Sequence, residues 1–158
     1  MVTDKLCFED IVVGRPERFG RYEITRESVL AFAAEYDPQD FHLDDAAAAA
    51  GPFGKLAASG WQTAAITMRL LVQGFLSRQD SRGGAGVKDM RWTRPVYPGD
   101  VLTLEVEVIE KRRSRSRPDL GLMEFSQRTL NQHGEEVMHL TSTGMIRVRD
   151  PDAPIDAA

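Results

Sequence analysis

Between Gly60 and Ser77 apolar side chains recur at helical spacing. Trp61, Ala64, Ala65, Met68, Leu71, Val72 and Phe75 fall three and four residues apart on one face, and Ile66, Leu70 and Leu76 make much of the opposite side apolar. The spacing predicts a helix over Gly60–Ser77 that is apolar nearly all round, and such a helix is usually buried. Ser59 is a good N-cap, and Gly60 leaves its backbone amide unshielded by any side chain. Amides at a helix N-terminus attract anions and developing negative charge.

The pattern upstream is less regular. Residues 1–17 read as an irregular lead-in whose Phe8, Ile11, Val12 and Val13 are placed to pack on a neighbour, before Gly14 and Pro16 break it. Phe19–Ile24 reads as a short strand with imperfect alternation. Thr25 is an N-cap for a helix carrying Val29, Phe32, Ala33 and Tyr36, which stops at Asp37-Pro38 because a residue before proline avoids helical angles. Asp44 and Asp45 precede five alanines, a short helix with acids in its first turn, ended by Gly51, Pro52 and Gly54. The stretch 37–58 is thus an excursion between two larger helices, and such loops often carry function.

Downstream the period changes from helical to alternating. Ser81, Gly83, Gly84 and Gly86 read as a flexible connection, and Val87–Thr93 as a strand followed by the turn chemistry of Arg94–Asp100. Leu102, Leu104, Val106 and Val108 alternate with Thr103, Glu105 and Glu107, a half-buried strand. Leu120–Leu130 and Glu136–Val148 are two more, joined by Asn131-Gln132-His133-Gly134. An antiparallel sheet wrapped around a central apolar helix satisfies this order, so the expected fold class is α+β, not βαβ.

At 158 residues the chain is expected to form a single domain over 1–158, with the lead-in 1–17 and a tail 150–158. A chain of that size buries roughly 70% of its unfolded surface and needs no metal or disulfide staple. Its net charge of −4 argues against a nucleic-acid or membrane-surface partner. Cys7 is the only cysteine, which excludes an internal disulfide and fits a reducing compartment. The N-terminus lacks the layout of a signal peptide, and no apolar run approaches transmembrane length. The expectation is a cytoplasmic protein.

Few side chains offer chemistry. Of three histidines, His133 falls in a turn and His139 on the more polar face of the last strand, where ordinary surface roles suffice. His42 sits among Asp37, Asp40 and Asp44 beside Phe41. These residues lack a recognised zinc spacing. Ser59 is in no Gly-x-Ser-x-Gly elbow, Cys7 stands in the lead-in with no evident base, and the glycines at 83, 84 and 86 precede a strand rather than the helix a phosphate loop requires. General acid-base chemistry survives: a carboxylate can orient a histidine, a turn through Pro38 could bring Asp37 and His42 to the same side, and the Gly60 amide could stabilise charge on a substrate. Lys111, Arg112, Arg113, Arg115 and Arg117 form one basic cluster, either a solvated hairpin end or a phosphate contact; on an extended strand Arg113, Arg115 and Arg117 would project to one side.

Asp37-Pro38-Gln39-Asp40-Phe41-His42 resembles the hydratase motif Asp-x-Asn-Pro-(aliphatic)-His of MaoC-like dehydratases, which include the (R)-specific enoyl-CoA hydratases. Arg91-Trp92-Thr93-Arg94-Pro95-Val96-Tyr97-Pro98-Gly99-Asp100 resembles that family's strand-and-turn signature, and the likeness runs from about Phe8 to Arg149. The resemblance implies a hotdog fold and reversible hydration of a trans-2-enoyl thioester, with acyl-CoA as substrate and no cofactor. It implies Asp37 and His42 as the catalytic pair and the Gly60 amide as the holder of the thioester oxygen. Ser59, Gln39, Phe41 and Trp61 are expected to border the substrate, with Arg113 and Arg115 as candidate contacts to its phosphates. A homodimer or higher homo-oligomer is implied, the acyl-CoA site lying between protomers. Gln39 and Asp40 depart from the motif, which bears on substrate preference. The same fold also serves acyl-CoA thioesterases and non-catalytic acyl-CoA-binding proteins, and these remain the alternatives.

Overall fold

The computed structural model describes residues 5–154; the first four residues of the lead-in and the last four of the tail lie outside it. Strand β1 (Glu17–Glu23) leads into helix α1 (Arg26–Tyr36), the short α2 (Asp45–Ala50) and the long α3 (Gly60–Gly74). Four strands then follow in succession: β2 (Ser81–Trp92), β3 (Val101–Arg113), β4 (Leu120–Leu130) and β5 (Glu136–Arg147). The five strands form one sheet in the order β1-β3-β4-β5-β2, every neighbouring pair antiparallel. β1 and β2 are therefore its edges.

Local chemistry explains the helix ends. The Thr25 hydroxyl accepts from the Ser28 amide at 3.1 Å to start α1, and the chain leaves α1 at Asp37, before Pro38. Asp44 caps α2 by accepting from the Ala47 amide at 2.9 Å. Arg26 clamps Asp45 with two bonds of 2.9 and 2.7 Å, fastening α2 to α1. The Ser59 hydroxyl accepts from the Trp61 amide at 3.2 Å, as expected of an N-cap for α3.

The alternating residues of β3 (Leu102, Leu104, Val106 and Val108) form the floor of the core, with Met123 and Phe125 of β4 and Met138, Leu140 and Ile146 of β5. Ile66, Leu70 and Leu71 of α3 pack onto this floor, and Phe75 meets Phe125 at 5.5 Å between ring centres. The contact is not wholly apolar. Thr67 donates to the Thr63 carbonyl at 2.9 Å, so the Thr129 hydroxyl, 2.6 Å away, donates to Thr67. Both hydroxyls are buried; a buried group left without its partner costs about 1–3 kcal/mol, so this pair pins the rotation of α3 on β4.

Three expectations need correction. The apolar helix is not buried all round: Trp61, Met68 and Val72 are 58%, 51% and 43% exposed, while Gln62, Thr63, Ile66, Thr67, Leu70 and Leu71 face inward. Side-chain hydrogen bonding allows threonines onto the sheet-facing side, and an apolar stripe is left outside. The glycine stretch 81–86 is no flexible connection but the first half of β2, its backbone paired with β5 from Ser81↔Ile146 to Gly86↔Thr143 with register shifts. Val12 and Val13 are exposed, whereas Ile11 is buried and Phe8 half-buried. Cys7 is buried too, its backbone amide held by Asp10 at 2.9 Å. The imperfect alternation of β1 reflects a bulge between Phe19 and Tyr22, where Gly20 adopts φ +78° against Leu70. Among the described residues no helix is long and apolar enough to cross a membrane.

Candidate active site

The excursion 37–58 folds back over the N-terminus of α3. After Asp37, one turn of 3-10 helix (Asp40–His42) brings His42 inward, its amide bonded to the Gln39 carbonyl at 2.9 Å. The His42 ring is buried, stacked at 18° on Phe53 and touched edge-on by Phe41. Its Nδ1 lies 2.8 Å from the Ala57 carbonyl oxygen. A carbonyl only accepts, so in the neutral ring Nδ1 carries the hydrogen and Nε2 keeps its lone pair. Nε2 stands 3.5 Å from Asp37 Oδ2, longer than an ordinary hydrogen bond.

Asp37 is held from two sides. Ser59 donates to Oδ2 at 2.6 Å and the Gln39 side chain donates to Oδ1 at 2.7 Å. The Ser59 hydroxyl, then the Gln39 amide and the neighbouring His42, hold its carboxyl below the ordinary carboxylate value against the opposing effect of burial. Asp37 is thus ionised at neutral pH, and both oxygens are oriented.

His42 and Gly60 line a cleft of about 260 Å³ with Phe53, Ala58, Thr63, Trp92, Thr93, Arg94, Pro95 and Val96. The Gly60 amide opens α3, where no helical carbonyl can take it, and it donates to no acceptor among the described residues. His42 and the first residue of α3 thus border the same space.

The remaining candidates fall around this core in different ways. Ser59 is fully buried and reaches the site through Asp37. Gln39 is exposed and also acts on Asp37. Phe41 packs against His42 and Phe53 rather than lining the cleft. Trp61 is exposed and meets Trp92 edge-on at 5.2 Å. The arginine geometry needs correcting: β3 ends at Arg113, so Arg115 and Arg117 lie in the turn beyond it and do not project from one strand. Arg113 donates to the carbonyls of Pro118, Pro151 and Ala153, and Arg117 pairs with Asp119 at 2.9 Å. Leu120 pairs with Arg147, whereas Thr129 and Trp92 both pair with Met138, so the cluster and the cleft lie at opposite ends of the sheet. At about 3.4 Å per residue that is roughly 30 Å.

Sequence reasoning missed the Ala57 carbonyl, Phe53, Thr63 and Trp92 as parts of the site. A backbone carbonyl has no side-chain signal. Phe53 had one, an aromatic between Gly51-Pro52 and Gly54, and Trp92 had another beside the Arg94–Asp100 turn.

The chain belongs to the MaoC-like domain family, whose model ("MaoC like domain") matches residues 10–122. The sheet curled on α3 is the hotdog fold. A MaoC-like dehydratase from Rhodospirillum rubrum is 42% identical with a TM-score of 0.83, covering 92% of this chain and 99% of that one. The (R)-hydratase from A. caviae involved in PHA biosynthesis is 26% identical with a TM-score of 0.68, covering 86% of this chain and 97% of that one. In sequence, the uncharacterized protein YdeM of Bacillus subtilis (strain 168) is 32% identical over 124 residues, 78% of this chain and 86% of that protein. Mesaconyl-CoA hydratase of Cereibacter sphaeroides is 39% identical over 72 residues, 46% of this chain and only 21% of that protein.

The Ser59–Asp37 bond makes a pH prediction. Because the folded carboxyl titrates below its unfolded value of about 4, its contribution to stability is complete above that pH and lost as pH falls through the folded value. Ser59→Ala should raise the Asp37 midpoint and cost about 1–3 kcal/mol at neutral pH. An NMR titration of the Asp37 carboxyl checks this, and an unmoved midpoint would show that the hydroxyl does not set the charge.

Proposed function

We propose that this chain is a hydro-lyase that reversibly adds water across the double bond of a trans-2-enoyl-CoA, giving a 3-hydroxyacyl-CoA. The observation that carries the reading is the pairing of His42 Nε2, 3.5 Å from an ionised Asp37, with the unpaired Gly60 amide on the same cleft. The kinship with hydratases supports it.

In this reaction a water sits between Asp37 Oδ2 and His42 Nε2, donating one hydrogen to each. Its oxygen attacks C3 while Nε2 takes the proton, and the C2=C3 electrons move toward the thioester oxygen. The Gly60 amide and the positive end of α3 stabilise the resulting enolate. The enolate collapses by taking a proton at C2 from Nε2–H, which restores the neutral ring. Nothing is consumed but water and alkene. Asp37, fixed by Ser59 and Gln39, orients the water and stabilises the imidazolium, while His42 carries the proton.

We further propose a homodimer as the working unit. Trp61, Met68 and Val72 form an exposed apolar stripe along α3, and β2 is an edge strand almost wholly exposed on both faces. A second copy related by a two-fold axis satisfies both features at once. The stripe begins one residue after Gly60, so the partner would border the cleft. Light scattering should give the mass of at least two chains; a monomer at micromolar concentration would contradict the assembly.

Asp37→Asn and His42→Ala should each lower kcat for crotonyl-CoA by at least about 100-fold, the usual scale of a general acid-base contribution. Loss of the conjugated enoyl absorbance without thiol release is the expected signal. Thiol release would instead indicate a thioesterase, and binding without turnover a non-catalytic acyl-CoA-binding protein. Wild-type rates in both variants would remove the assignment.

A further inference from the structure

Trp92 stands over the first turn of α3, and the mechanism above leaves it unused. It is the last residue of β2 and donates its indole Nε1–H to the Gly60 carbonyl at 2.7 Å. Its ring occupies the space where residue 60 would carry a side chain: a Cβ built there falls 2.7 Å from Trp92 Cε2 and 2.8 Å from Nε1. The same ring lines the cleft together with Phe53, Thr63 and Val96. Trp61 abuts it edge-on at 77°, so the indole is braced from the helix side.

Two consequences follow from this placement. Gly60 has the least restricted backbone of any residue type, and its amide is outside the helical hydrogen-bond ladder. Local structure alone therefore holds that amide weakly. A donor on its carbonyl, with a ring covering Cα, restricts the rotation of Gly60, a residue that lines the cleft. The second consequence concerns volume. About 260 Å³ lies below the range of about 300–1,000 Å³ that encloses a drug-sized ligand. On this chain the cleft has room for a thioester carbonyl and a short acyl chain, and the indole forms one of its walls.

Resting on the hydratase reading, we propose that Trp92 is a positioning and specificity-determining residue. Its hydrogen bond aims the Gly60 amide at the thioester oxygen, and its ring restricts the acyl group to short chains of crotonyl size.

Two variants of the full chain separate these roles. Trp92→Phe keeps a ring and deletes the donor; Trp92→Leu shortens the wall. For Trp92→Phe the expected result is a kcat on crotonyl-CoA lowered about three- to tenfold, the worth of one ordinary hydrogen bond, with the KM within about twofold. A purely structural role would lower the melting temperature and the active fraction, and kcat per active site, counted from the calorimetric binding stoichiometry, would then stay at the wild-type value. For Trp92→Leu, calorimetric titration with the saturated analogues butyryl-CoA and octanoyl-CoA should show the affinity ratio moving at least about tenfold toward octanoyl-CoA. Unchanged kcat in Trp92→Phe overturns the positioning role, and an unchanged affinity ratio overturns the specificity role. The titrations need no turnover. A wild-type protein that hydrates no enoyl-CoA would end the hydratase reading, and the affinity ratio would still decide whether Trp92 limits chain length.

Discussion

The Ser59 hydroxyl joins the two halves of the site in a single atom. It accepts from the Trp61 amide, which starts α3, and donates to Asp37 Oδ2, which fixes the carboxylate at the end of α1. An uncapped helix end and an unoriented, half-buried carboxylate are each unfavourable, and the hydroxyl of one fully buried residue resolves both. The arrangement ties the position of the Gly60 amide to that of the acid. Asp37 in turn lies close to His42, whose tautomer is set by the Ala57 carbonyl. Removing any one of these contacts loosens the others, because each group is held by partners that are themselves held.

The sheet makes this economy possible. Its concave face binds α3 through aliphatic packing and the Thr67–Thr129 hydroxyl pair, so the helix cannot rotate without exposing apolar surface or breaking a buried bond. The N-terminus of α3 therefore projects at a fixed place beside the end of β2, where Trp92 covers it. Among the described residues the opposite side of the helix is left exposed. Its exposed stripe is Trp61, Met68 and Val72, of which Trp61 meets Trp92 edge-on.

Much of the fold could be read from the residues because local signals and global packing agree. Thr25 and Ser59 cap where they were expected to, and β4 spans Leu120–Leu130 as expected. The departures arise where tertiary pairing overrides propensity. Glycines at 83, 84 and 86 form strand because β5 supplies a ladder. Periodicity marked the apolar faces of α3 without revealing which one meets the sheet, since the inward side carries Thr63 and Thr67, the latter bonded to Thr129. Within the site, Asp37, His42 and Gly60 stood out by residue type and by likeness to a known motif, and the fold brings them together. The Ala57 carbonyl and the indole of Trp92 meet the site through geometry created by distant parts of the chain, so the position of Trp92 beside a turn did not reveal which residue it covers.

The central claim is that one thioester spans the space between the catalytic pair and the start of α3. A crystal structure of the His42→Ala variant with a bound 3-hydroxyacyl-CoA tests it most directly. The account places the thioester oxygen about 2.7–3.1 Å from the Gly60 amide, with the 3-hydroxyl turned toward Asp37. A ligand whose carbonyl lies away from that amide, or whose hydroxyl points out of the cleft, would contradict it.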